Sequence, residues 1–186
     1  MESVFTIGYG NRPVADFLAA LSRRRIQYLI DVRSSPRSKY RPEFSANELR
    51  TLLKQSDISY VPMGDSLGGR PDDSSCYEDG HVLYDLVRER HYFQDGIKRI
   101  QEALSKNLRV CLMCSEGKPE DCHRSKLIGS ALEALGVNVL HIDAQDEELS
   151  QREVLARITP VQPNFFGSRM TSRKAYKTGR SRRASS

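Results

Sequence analysis

Apolar positions along the chain fall in short continuous runs that alternate with stretches of helical spacing. Val4 to Tyr9, Tyr28 to Val32, Ser59 to Pro62, Val110 to Met113 and Val137 to Ile142 read as five strands, bounded by glycine-rich or polar turns. Between them, Pro13 to Arg24 carries Phe17, Leu18 and Leu21 on one helical face, and Leu49, Leu52 and Leu53 form the stripe of a second helix. Ser45 followed by Glu48 predicts a capping box for that helix. Helical periodicity runs from Val82 through Leu104 with a break near Arg90 and His91, returns from Ser125 to Leu135, and closes with Glu147 to Ile158.

This alternation predicts an α/β domain over residues 1–158, with a mostly parallel five-stranded sheet and helices on both faces. The Val4 and Val110 strands are the most uniformly apolar and are expected at the centre. The stretch from Gly64 to Gly80 is rich in Gly, Asp, Ser and Pro and is long for a connection, which marks a candidate lid or binding loop.

Composition changes the picture at one end. The net charge is +5, yet Ser168 to Ser186 holds seven Lys or Arg and no acid, so the remainder carries about −2. Residues 159–186 therefore read as a basic, solvated tail, able at most to make weak, non-specific contact with nucleic acid. The apolar runs are too short to cross a bilayer and no leader-like stretch opens the chain, so a cytoplasmic protein without membrane contact is expected. Its four cysteines are then thiols, not disulfides.

The candidate chemistry sits after the Val110 strand, in Cys114-Ser-Glu-Gly-Lys-Pro-Glu-Asp-Cys122-His-Arg124, where a strand runs through a loop into a helix. In a parallel sheet such loops share the carboxyl edge where ligands bind. Arg12, Arg33, Arg37, Arg70 and Arg124 follow strands in the same manner and can hold an anion with their planar forks, although each can equally pair with an acid such as Asp31 or Glu43. Cys122, near a helix N-terminus beside His123 and Arg124, is a candidate nucleophile with Cys114 as its competitor; the plainer reading makes both buried packing residues. Glu116 and His123 are candidate proton carriers. A metal at Cys114, Cys122 and His123, joined by Cys76 or His141, is possible chemistry but not favoured, because the spacing departs from the tight pairs of zinc sites. No other cofactor is indicated. Gly8, Asn11, Pro36, Gly68 and Gly69 are assigned to turns, since Gly8-x-Gly10 lacks the third glycine of a dinucleotide fingerprint, and Tyr9, Tyr40, Tyr60 and Tyr84 are candidate stacking surfaces.

Thr6-Ile-Gly-Tyr-Gly-Asn11, Ile30-Asp-Val-Arg33-Ser-Ser-Pro36, Leu67-Gly-Gly-Arg-Pro71, the Cys114 to Arg124 motif and Gly136-Val-Asn-Val-Leu-His141 together resemble the bacterial and archaeal family grouped as domain of unknown function 488. The resemblance implies a Rossmann-like three-layer fold and, by analogy with nucleotide-handling enzymes of that architecture, a phosphate-bearing or nucleotide-like small ligand acted on by a hydrolase or transferase. Two alternatives stay open. Asp31 to Arg33 with Cys114 and Arg124 is faintly similar to sulfurtransferases and cysteine phosphatases, at the wrong spacing, and a non-catalytic anion-binding or nucleic-acid-associated adaptor would use the same crevice and tail.

Overall fold

The protein is described here by a computed structural model covering residues 3–158 and 170–176. It is a Rossmann-like three-layer α/β fold. Five parallel strands, β1 (Ser3–Gly8), β2 (Tyr28–Asp31), β3 (Ser59–Pro62), β6 (Val110–Cys114) and β7 (Asn138–Ile142), make the body of the sheet. A sixth, β8 (Glu148–Ser150), adds antiparallel to β7, giving the order β3-β2-β6-β1-β7-β8. The uniformly apolar β1 and β6 are central, with Phe5 opposite Cys111 and Gly8 opposite Cys114. A separate two-stranded hairpin joins β4 (Tyr77–Glu78) to β5 (His81–Val82).

Side chains alternate across the sheet and divide the core in two. On one face Phe5, Ile7, Leu29, Cys111 and Met113 meet Phe17 and Leu21 of α1 (Val14–Arg23) and Leu49 and Leu53 of α2 (Ala46–Lys54). On the other, Ile30, Val32, Leu112 and Cys114 meet Leu67 of α3 (Gly64–Leu67), Val87 of α4 (Tyr84–Arg88), Phe93, Ile97 and Ile100 of α5 (His91–Ser105), and Leu132 of α6 (Ser130–Ala134). Because period-two strands send neighbours to opposite faces, Cys111 is sealed under α1 and α2 while Cys114 reaches the α4, α5 and α6 side.

Several local expectations are corrected. Val82 belongs to β5, so the helices after it begin at Tyr84 and His91. The stretch from Gly64 to Gly80 is not one open loop: it contains α3, a single 3-10 turn at Ser74–Cys76, β4 and the turn of the hairpin. Ser45 precedes α2 without capping it, because its hydroxyl is spent on the backbone N–H and C=O of Ser38. The capping box lies instead at Ser150 and Glu153, opening α7 (Gln151–Ala156), so the helix expected from Glu147 starts later and its first residues form β8. The helix expected from Ser125 begins as a π-helical segment, Arg124–Gly129, before α6. There the Ser125 carbonyl, the acceptor of the Ser130 backbone N–H, also accepts from the Gln151 amide at 3.0 Å and the Ser130 hydroxyl at 3.2 Å. Among the described residues no helix is long and apolar enough to cross a membrane.

Candidate functional site

The order of the sheet assembles the site. β6 lies between β2 and β1, so the loops after all three meet above Cys114. They bound a cavity of about 230 Å³ whose lining includes Arg33, Gly69, Arg70, Tyr84, Cys114, Glu116, Asp121, Cys122 and His123. The loop after β6 fits there only because Gly8 has no side chain: a Cβ at Gly8 would lie 1.8 Å from the Glu116 carbonyl oxygen. Gly69 serves the same purpose against the His123 ring, where a Cβ would stand 2.7 Å from Cγ.

At the cavity floor the sulfurs of Cys114 and Cys122 and a ring nitrogen of His123 lie within 4.8 Å of one another, and all three residues are buried. His123 Nε2 is 3.0 Å from the Val32 carbonyl oxygen, which only accepts, so Nε2 carries a proton and donates it. Nδ1 therefore turns to the thiols, 3.8 Å from Cys114 Sγ and 3.7 Å from Cys122 Sγ. It accepts from a thiol or, once protonated, donates to a thiolate. The backbone N–H of Arg124 also donates to Cys122 Sγ at 3.5 Å.

These contacts separate the two cysteines. A hydrogen bond from the Cys122 thiol, acting against burial and aided by His123 and Arg124, holds the Cys114 thiol well below its ordinary range. Burial, and then the neighbouring Cys114, push the Cys122 thiol well above it. Of the two, Cys114, at the end of the strand, is thus the more acidic thiol and Cys122 the proton-bearing partner. This reverses the order expected from helix-terminus placement alone. Cys111, pushed up by complete burial, stays a thiol in the core.

The five arginines divide. Arg33 and Arg70 line the cavity; Arg12, Arg37 and Arg124 do not. Arg12 donates to the Asp143 carbonyl and lies 3.7 Å from Asp146, and Arg37 is exposed away from the cavity. Arg124 is fully buried and holds the Cys loop in shape, donating Nη1 to the Glu116 carbonyl and Nη2 to that of Gly117 at 2.9 Å. Arg33 makes a two-pronged contact with Asp31, Nε to Oδ1 at 2.9 Å and Nη2 to Oδ2 at 2.6 Å, and Tyr60 completes the carboxylate with its hydroxyl at 2.5 Å. Arg33 Nη1, on a residue only 5% exposed, is buried with no hydrogen-bond partner.

Of the turn residues, Gly69 lines the cavity and Gly8 and Gly68 pack beneath its loops, while Asn11 is exposed outside it and Pro36 accepts from Arg33 Nη2 at 3.3 Å. Among the tyrosines, Tyr84 reaches the lining; Tyr9 stacks on Phe44, Tyr60 serves Asp31 and Tyr40 is exposed. Cys76 and His141 stand apart from the trio. Cys76 contacts Asp73 and Tyr92, and His141 is buried in β7 between Thr6 and Gln151.

Sequence reasoning missed Asp121 and the residues Arg173, Lys174 and Tyr176, all of which line the cavity. Asp121 hides in the 3-10 turn after Lys118. The other three lie in the tail expected to be solvated, and residues 170–176 instead pack on the body. The rest of residues 159–186 falls outside the described residues.

Fold and site together define a Rossmann-like α/β protein with a paired thiol at the carboxyl edge of its sheet. The chain belongs to the family described as domain of unknown function DUF488, whose model matches residues 13–131. No curated protein and no solved structure matches it.

Proposed function

We propose that the protein is an enzyme that uses the Cys114 thiolate on a small phosphate-bearing substrate. The observation that carries this reading is that Arg33 lines the cavity that holds the thiol pair while its buried Nη1 has no hydrogen-bond partner. A buried guanidinium donor with no acceptor is costly, and a ligand oxygen is the natural acceptor. The cavity of about 230 Å³ is below the size that encloses a drug-sized molecule, so it suits the phosphate group and adjoining atoms of a substrate whose remainder lies outside. Cys114 would attack phosphorus, forming an S–P bond as the ester P–O bond breaks, and the leaving oxygen would take a proton from the imidazolium of His123. Water would then attack phosphorus and pass a proton back to the His123 imidazole, so that the S–P bond breaks, phosphate leaves and the thiolate is restored.

One observation favours a second reading. Two sulfurs and an imidazole nitrogen converge beside a cavity, and the far nitrogen of that ring is anchored on a carbonyl, as the outer partners of metal-bound histidines are. The trio fits a soft ion such as zinc with one position left for substrate, which would supply Lewis acidity to the bound oxygen. Metal content of the purified protein separates the two readings, read beside hydrolysis of an aryl phosphate by wild type and Cys114→Ala. Metal-free turnover lost in Cys114→Ala supports the thiol mechanism. Sulfur transfer from thiosulfate without phosphate release would move the site to sulfurtransferase chemistry, and binding of phosphate with no turnover of either substrate would make it an anion-binding adaptor.

A further inference from the structure

The tail segment from Met170 to Tyr176 runs along the hairpin, joined to it by one antiparallel bridge and by main-chain hydrogen bonds. Tyr84 N–H donates to the Met170 carbonyl at 3.1 Å, Ser172 N–H to that of Val82 at 3.0 Å, and Tyr176 N–H to that of Gly80 at 2.6 Å. Leu83 and Thr171 form an antiparallel bridge. Ser172 is the fastening: it is 4% exposed, its hydroxyl accepts from Val82 N–H at 3.0 Å and donates to the Lys174 carbonyl at 2.8 Å, and its carbonyl accepts from His81 Nδ1 at 2.9 Å. Such pairing depends on backbone groups and is indifferent to the basic composition around it.

The register delivers charge to the site. Arg173 lies 3.3 Å from the Glu116 carboxylate and 3.4 Å from that of Asp121, Lys174 lines the cavity, and the Arg70 guanidinium sits 5.2 Å from the centre of the Tyr176 ring. Without the tail, the charged lining would be Arg33 and Arg70 against Glu116 and Asp121, beside a Cys114 thiolate, with Asp31 already neutralising Arg33. Such a site repels an anion. Arg173 and Lys174 cancel that excess, because Arg173 pairs with both carboxylates while Arg70 and Lys174 are left for ligand.

We infer that residues 170–176 form the outer wall of the active site and that Arg173 and Lys174 are substrate-binding residues, gripping the phosphate of a phosphomonoester together with Arg33. This rests on the phosphate reading proposed above. The test uses the full chain and inorganic phosphate as the probe, with Arg173→Ala/Lys174→Ala compared against Arg182→Ala/Arg183→Ala, which removes the same charge elsewhere in the tail. The first pair should weaken phosphate about tenfold or more, the loss of a charge-assisted contact, while the second changes it less than about twofold and both melt near wild type. Equal effects of the two pairs, or no effect of the first, would overturn the inference. If wild type itself fails to bind phosphate, the functional reading falls, and the wall is judged by Cys114 alkylation with iodoacetate against iodoacetamide. There the first pair should selectively slow the anionic reagent; an unchanged rate ratio would end the proposal.

Discussion

His123 donates its Nε2–H to the carbonyl of Val32, the residue that follows β2, and by doing so aims Nδ1 at thiols that belong to a different strand and its loop. One main-chain oxygen thus fixes the tautomer and orientation of the only imidazole at the site, and ties the chemistry of the β6 loop to the neighbouring strand.

That relationship predicts which thiol reacts. Site-resolved alkylation at pH 7 should find Cys114 labelled first, Cys122 slower and Cys111 last, because the thiolate is the reactive form. His123→Ala and Cys122→Ala each remove a contact that favours the Cys114 anion and should slow its labelling at neutral pH, about tenfold for each pKa unit regained. Faster labelling of Cys122 would refute the assignment. Faster labelling of Cys114 and Cys122 after chelation would instead indicate a bound metal.

Gly69→Ala probes the same ring without touching a thiol. The added methyl must displace His123, whose ring atoms approach within 2.7 Å of it, and Gly69 itself is half-buried. The expected result is slower Cys114 labelling with a stability loss of about 1–3 kcal/mol, measured by urea denaturation. Wild-type labelling would show that the ring position is not what prepares the thiol.

Arg33 has two duties, and stability separates them. Its side chain and that of Asp31 are 4% and 1% exposed, so Arg33→Ala leaves a buried carboxylate with no cation, held only by the Tyr60 hydroxyl and the backbone N–H of residue 33, and should cost about 3–5 kcal/mol. Asp31→Ala/Arg33→Ala should recover part of that loss in denaturant unfolding, yet should not recover phosphate binding. A double variant no more stable than the single one would deny the pair its structural part.

The parts of the molecule that were legible in the sequence are those written in periodicity. The buried runs of β1, β2, β6 and β7 and the apolar stripes of α1, α2 and α5 are visible because burial selects residue type at fixed spacing. β8 was not, since three residues set no period and merge into the helix that follows. The Cys114 to Arg124 motif disclosed the thiols and His123, whereas the direction of a guanidinium is a tertiary fact. Arg124 folds back under its own loop because the Glu116 and Gly117 carbonyls are turned inward and need donors. The docking of Ser172 and its neighbours left no compositional signal, as it depends on main-chain bonds to Val82 and Gly80.

The last prediction follows His141, which is fully buried in β7 with Thr6 Oγ1 at 2.7 Å from Nδ1 and Gln151 Oε1 at 2.6 Å from Nε2. An amide oxygen only accepts, so Nε2 bears the proton, Nδ1 accepts from the Thr6 hydroxyl, and the ring is neutral. Burial is the main reason its pKa falls from 6.5 to about 4. Unfolded chains bind a proton at this residue below about pH 6.5 while the folded protein does not until about pH 4, so stability is complete above that window and is lost as the pH drops through it. The loss amounts to about 2 kcal/mol between pH 7 and pH 5, a range in which few carboxylates titrate. Because Gln151 also holds the Ser125 carbonyl, the same protonation strains the link between the sheet and the π-helical segment behind the thiols. His141→Gln should be less stable at pH 7 for want of its hydrogen bonds, and should lose less on going to pH 5 than wild type does, as read from urea midpoints at the two values. Parallel losses in both proteins would assign the acid sensitivity to other groups.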